Sequence, residues 1–132
     1  MSRVGRAPFG RDRRLLAKRD FDRVFTAGRR AFARGLVVYV DRSPSGWPRL
    51  GLVTGRRFGN AVARNRARRL LREAFRIASP DLAPLDIVAL PQAGSFPDHP
   101  AAVQTALREA VSRAARAPAR PPLPTAGPGA AP

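Results

Sequence analysis

Arg64, Asn65, Arg66, Arg68, Arg69 and Arg72 place five guanidinium groups and one carboxamide within nine residues. A guanidinium is planar and stays charged at any physiological pH. Its fork donates two parallel hydrogen bonds to a phosphate. The chemistry of such a cluster is anion recognition. The wider stretch Gly55–Arg76 holds eight arginines against one acid, Glu73. The whole chain repeats this bias, with 25 basic and 9 acidic residues, a net charge of +16 and, apart from Lys18, only arginine as the basic type. A charge of that size points to a polyanion as partner, first of all a nucleic acid.

Other chemistries have little to work with. The chain has no cysteine, which removes disulfides, thiolate catalysis and cysteine-ligated zinc. Its one histidine, His99, lies between prolines in Phe96-Pro97-Asp98-His99-Pro100 and reads as loop surface, so no metal site is expected. The loop Thr54–Asn60 lacks the Gly-Lys-Ser/Thr ending of a nucleoside triphosphate site. No apolar run approaches a membrane span, and the first fourteen residues carry five arginines and no hydrophobic core of a signal peptide. A cytoplasmic protein is expected.

The elements that must hold the arginines follow from periodicity. Residues 1–14 read as a basic flexible arm, 15–117 as the folded domain, and 118–132, with six prolines, as a disordered tail. A short helix is expected over 19–28, with Phe21, Val24 and Phe25 on one face, Asp20 near its start, and Gly28 as a left-handed cap. Strands are expected at 35–42 and 49–54, antiparallel to one another through the Ser43–Gly46 turn, and at 86–90. Trp47 is expected to pack in its loop. A helix is expected over 100–116, with Val103, Ala106, Leu107, Ala110 and Val111 inward.

The arginine segment is itself a helix. Ala63, Ala67, Leu70, Leu71, Ala74, Ile77 and Ala78 share one arc at about 100° per residue. Arg64, Arg66, Arg68, Arg69, Arg72 and Arg76 fan over the rest, with Phe75 an apolar residue among them. Arg64, Arg68, Arg72 and Arg76 repel one another at successive i, i+4 positions, and a helix that accepts this is suited to an anionic partner. Gly55 and Gly59 in the preceding turn allow close backbone approach, beside a helix N-terminus that favours phosphate.

The stretch Gly59-Asn60-Ala61-Val62-Ala63-Arg64-Asn65-Arg66-Ala67-Arg68-Arg69-Leu70-Leu71-Arg72-Glu73 resembles the signature of the bacterial ribonuclease P protein component. Asp20–Phe25 with Gly28, Tyr39, and Asp86-Ile87-Val88 fit the same family in the same order. Arg56-Arg57 stands where that family often has lysines, and the proline-rich tail lies outside the pattern. The resemblance implies an α/β (α+β) two-layer sandwich, a small mixed sheet with helices packed on it, and a left-handed βαβ crossover. It implies a protein subunit of ribonuclease P, with ribonuclease P RNA and precursor tRNA as partners and no membrane. Catalysis would be carried by the RNA and its Mg2+, with no cofactor bound by the protein alone. By that resemblance Arg64, Asn65, Arg66, Arg68, Arg69 and Arg72 contact the RNA subunit, and Phe21, Phe25, Tyr39, Arg56 and Arg57 line a cleft for the 5′ leader.

Two other readings share the composition. A structural RNA-binding protein of ribosomal type would carry the same charge. A membrane-surface protein would need large apolar residues where the helix over 63–78 has mainly alanine.

Overall fold

Ile87, Val88 and Ala89 are consecutive and apolar, so a strand containing them needs cover on both faces and suits the interior of a sheet. The computed structural model, which describes residues 10–118, places it there. The elements are α1 (Lys18–Ala27), β1 (Arg29–Ala33), β2 (Leu36–Arg42), β3 (Arg49–Leu52), α2 (Ala61–Ala78), β4 (Leu85–Pro91) and α3 (Pro100–Arg116). The sheet order is β1-β2-β4-β3. β2 pairs with β1 and β4 antiparallel, and β3 pairs with β4 parallel.

This corrects the expected β2–β3 pairing. The two strands run in opposite directions, but β4 separates them because it is the segment apolar on both faces. β1 was not anticipated. Arg29-Arg30-Ala31-Phe32-Ala33 opens on two arginines, yet it alternates, with Ala31 and Ala33 toward the core and Arg30 and Phe32 away from it. Arg34 and Gly35, at φ 50° and 80°, form the two-residue connection to β2 that suits a hairpin. Gly35 is obligatory: a Cβ there would stand 2.3 Å from the Ser95 carbonyl oxygen.

Alternation along the strands creates two cores. Val38, Val40, Leu50, Ile87 and Ala89 face α2 and α3, which contribute Leu71, Phe75, Val103 and Leu107. Tyr39 and Val88 face the other way, with Val24 and Phe25 of α1 over them. The mixed sheet carrying helices is therefore the expected architecture, and α1 covers part of the second face.

The β3–α2–β4 unit is a parallel crossover, and one bond fixes its hand. The Val53 amide donates to the Ala89 carbonyl at 3.0 Å, so that carbonyl points toward β3. The Ala89 side chain points toward α2 and α3. In an extended L-residue seen from its side-chain side, with the chain running upward, the carbonyl points right. Viewed from α2, β3 thus lies to the right of β4, and the chain leaving β3 returns on its left. The crossover is left-handed, against the right-handed rule that covers about 98% of such connections.

Local expectations change at Gly28, Phe75 and Ile77, and His99 and Trp47 gain a contact. Gly28 has φ −77°, not a left-handed conformation; glycine is needed because a Cβ would meet the Val24 and Val40 carbonyl oxygens at 2.3 and 2.7 Å. Phe75 belongs to the core at 1% exposure, because α3 flanks α2 on that side, whereas Ile77 is 42% exposed. His99 lies on the surface and also caps α3, its Nδ1 accepting from the Ala101 amide at 3.3 Å. Trp47 holds the N-terminal segment, its indole N–H donating to the Asp12 carbonyl at 2.9 Å.

Of the expected basic arm, residues 1–9 lie outside the described ones, as do 119–132 of the expected tail. Arg11–Arg13 form one 3-10 turn, and Arg14 bridges to Leu50 along the free edge of β3. Among the described residues, no helix is long and apolar enough to cross a membrane.

Candidate nucleic-acid interface

α2 starts at a polar cap, where the Asn60 side-chain oxygen accepts from the Ala63 amide at 2.9 Å. Its buried stripe, Ala67, Leu71, Ala74, Phe75 and Ala78, fixes how the helix rolls against the sheet. Burying one Leu or Phe contributes about 1.5–3 kcal/mol, so that roll is well defined. The opposite side then carries the arginines.

Their partners differ. Arg64 donates to the Gly59 carbonyl at 2.6 Å, and Arg68 to the Thr54 hydroxyl at 2.9 Å. Arg66 pairs with Asp98 at the surface and Arg76 with Glu73, so the fan has a second counter-charge that its own helix does not supply. Arg69 and Arg72 have no ion pair among the described residues. The Arg72 pKa is lowered, first by partial burial and then by repulsion from Arg68, Arg14 and Arg69. An arginine that stays protonated under such repulsion marks a positive field, and an arriving phosphate would relieve it.

A cleft of about 260 Å³ opens beside these arginines, lined by Arg14, Leu15, Leu16, Phe21, Leu50, Leu52, Arg68 and Arg72. Phe21 comes from α1 and leans on Gly51, where a Cβ would lie 2.7 Å from its ring. One aromatic expected at the leader site and two arginines expected at the RNA-subunit site thus meet around the edge of β3.

The model of the ribonuclease P family matches residues 9–115. The chain belongs to the ribonuclease P protein family. The "Ribonuclease P protein component" of Exiguobacterium is 40% identical over 77 residues, 58% of this chain and 68% of that protein. Other curated relatives are spanned over as little as 54% of their length. Solved structures agree over more of the fold. The RNase P protein from Thermotoga maritima is 30% identical, with a TM-score of 0.68 over 76% of this chain and 96% of that one. A mutant of the Staphylococcus aureus RNase P protein is 26% identical, with a TM-score of 0.71 over 79% and 89%.

In this ribonuclease P family member the other aromatic candidates sit deeper than Phe21. Phe25 and Tyr39 are 8% and 5% exposed, and their rings meet edge to face with centroids 4.8 Å apart. Arg30 lies over the Tyr39 ring at 6.0 Å. Arg56 and Arg57 are exposed in a 3-10 turn after β3, at the end of the sheet that also holds the β1–β2 turn. Asn65 is exposed on α2.

Sequence reasoning missed three groups here. Arg14 joins the arginine cluster through its bridge to β3; its place in a basic N-terminal run hid that. Val37, Val53 and Leu90 lie half-buried on the α1 face of the sheet, beyond the Tyr39 level; period-two alternation in β2 and β4 was the available signal. Phe58 pairs with Phe96 at 6.0 Å and ties the Arg56–Arg57 turn to the loop before α3.

Proposed function

We propose that the chain is the protein subunit of a ribonuclease P. It binds the catalytic RNA through α2 and the single-stranded 5′ leader of precursor tRNA along the α1 side of the sheet. The observation that carries this reading is the shared cleft, where Phe21 lies beside Arg68 and Arg72. A leader varies in sequence, so its binding site should use base stacking and backbone charge, which are indifferent to base identity. Aromatic faces contribute about 1–3 kcal/mol per stacked base. In this reading the RNA subunit and its magnesium ions supply the chemistry of hydrolysis. The protein's residues bind and orient. Arg64, Asn65, Arg66, Arg68, Arg69 and Arg72 serve the RNA subunit; Phe21, Arg56 and Arg57 serve the leader, with Phe25 and Tyr39 forming the bed beneath it.

The test is cleavage of 5′-labelled precursor tRNA by a bacterial ribonuclease P RNA at low magnesium, with and without the protein. The protein should restore cleavage. Arg68→Ala/Arg72→Ala should weaken binding to the RNA, and Phe21→Ala should reduce the advantage of substrates that carry a leader. A protein that binds this RNA but never promotes cleavage would overturn the proposal and favour a general RNA-binding role.

A further inference from the structure

Phe32 is 53% exposed near the end of β1, an unusual place for a large apolar side chain. Its surroundings set it apart from scattered surface hydrophobics. In the hairpin register Phe32 is opposite Val37, and Val37 is opposite Leu90. Directly paired residues share a face, so Phe32, Val37 and Leu90 form a row across the sheet, with Val53, just past the end of β3, beyond them. The neighbouring row is Arg30, Tyr39 and Val88. α1 covers Tyr39 and Val88 of that second row and leaves Arg30 exposed; the Phe32 row lies about 6.6–6.8 Å further along the strands.

We infer that Phe32, with Arg30 beside it, is a further nucleotide-stacking site, which carries the single-stranded 5′ leader past α1 onto β1. The inference rests on the leader-binding reading and extends its path. Three observations select this occupant over an apolar partner. The row continues the Tyr39 level of the candidate leader face. Cations stand at both ends of the row: Arg30 is exposed beside Phe32 in the adjoining row, and Arg56 and Arg57 follow β3 at the opposite edge of the sheet. The aromatic is also held by its backbone. Arg113 donates to the Phe32 carbonyl at 2.9 Å, Arg34 pairs with Glu109 at 2.6 Å, and the Gln92 amide donates to the Gly35 carbonyl at 2.9 Å. A ring on a fixed strand loses little freedom when a base stacks on it.

The test uses holoenzyme reconstituted with a bacterial ribonuclease P RNA. Binding is measured for leaderless tRNA and for precursors with short and long leaders. Phe32→Ala should lose roughly tenfold in affinity for the long-leader precursor, with little change for the short leader or for the RNA subunit. Phe32→Tyr should keep the affinity because it keeps the aromatic face. Phe32→Leu should lose it although it stays apolar, which separates stacking from packing. Equal thermal midpoints for the variants would show that folding is not the cause. Phe21→Ala runs alongside. If it weakens leader binding while Phe32→Ala and Phe32→Leu bind as wild type, the Phe32 site is wrong and the leader reading stands. If neither position matters for any leader, the leader reading itself falls, and this inference with it.

Discussion

Arginine does opposite work at the two ends of this molecule. Under α1, Arg23 and Arg49 converge on Asp86, which is fully buried. Arg49 grips it through two bonds of 2.8 Å, and Arg23 donates at 2.5 Å while also reaching Asp41 and Asp20. Burial alone would lower both arginine pKa values; for Arg49 the bonds to Asp86 outweigh it, for Arg23 the bonds to Asp86, Asp41 and Asp20 do so together, and both values are raised. On α2 no carboxylate offsets burial at Arg72: its pKa is lowered, first by partial burial and then by repulsion from Arg68, Arg14 and Arg69. One set of arginines closes the fold. The other keeps its field directed outward. The residue type is the same, and the placement of nine acids decides between the roles.

The largest expected effect breaks the first set. Asp86→Ala would leave two guanidinium groups facing a buried site without their shared carboxylate, and should cost about 3–5 kcal/mol in urea unfolding. The same pair predicts acid sensitivity. Burial raises the Asp86 pKa, but the bonds from Arg49 and Arg23 more than offset this and hold the carboxyl below its usual range. The folded state therefore binds that proton more weakly than the unfolded chain. The stabilisation is complete above the ordinary carboxylate pKa, about 4, and is lost as pH falls through the lowered folded value. Unfolding free energy followed from neutral pH downward should fall in that acid window for wild type, and fall less for Asp86→Asn. Parallel curves would remove Asp86 from the account.

A second contrast lies within α1. Phe25 is buried against Tyr39, so Phe25→Ala should cost about 3–5 kcal/mol of stability. Phe21 lines the open cleft, so Phe21→Ala should cost less stability. Its main loss should be leader affinity, about 1–3 kcal/mol measured by comparing precursor with leaderless tRNA. If the two variants lose stability equally and leader affinity equally, α1 has no division between a core ring and a binding ring.

Much of this was legible in the chain, for reasons specific to each element. α3 was readable over its full length because Val103, Ala106, Leu107, Ala110 and Val111 keep one face from Pro100 to Arg116. β2 and β4 were readable as apolar runs. β1 was hidden because Arg29 and Arg30 mask an alternation only five residues long. The strand order was hidden because a parallel pairing depends on the α2 crossover and leaves no mark in a turn. Within the site, the arginine fan followed from helical geometry alone. The Arg23–Asp86–Arg49 cluster could not follow, since its members lie on α1, β4 and β3, far apart in sequence. The depth of Phe25 and Tyr39 was equally out of reach: α1 lies over Tyr39 only once the sheet exists.

For the outward set, Arg68→Ala/Arg72→Ala should leave stability unchanged or raise it by a few tenths of a kcal/mol, because like charges are removed. Binding to ribonuclease P RNA should weaken, and the slope of log affinity against log salt should shrink by roughly one for each phosphate no longer neutralised. A marked loss of stability instead would move these two residues into the structural set.

The smallest expected effect tests the boundary between the sets. Arg66 has a partner, Asp98, yet both side chains are exposed, at 51% and 75%. Exposed pairs contribute about 0–1 kcal/mol, because water and salt screen them and two long side chains must be ordered. Asp98→Asn should therefore leave the unfolding midpoint almost where it was. It should also free Arg66 and remove a negative charge from the rim of the proposed RNA-binding face, so RNA affinity should rise modestly and its salt dependence steepen. A stability loss comparable with that of Asp86→Ala would show that pairing, rather than burial, is what makes an arginine structural here. An unchanged midpoint with tighter RNA binding would assign that role to burial. The Arg66–Asp98 pair would then be one that phosphate replaces on binding.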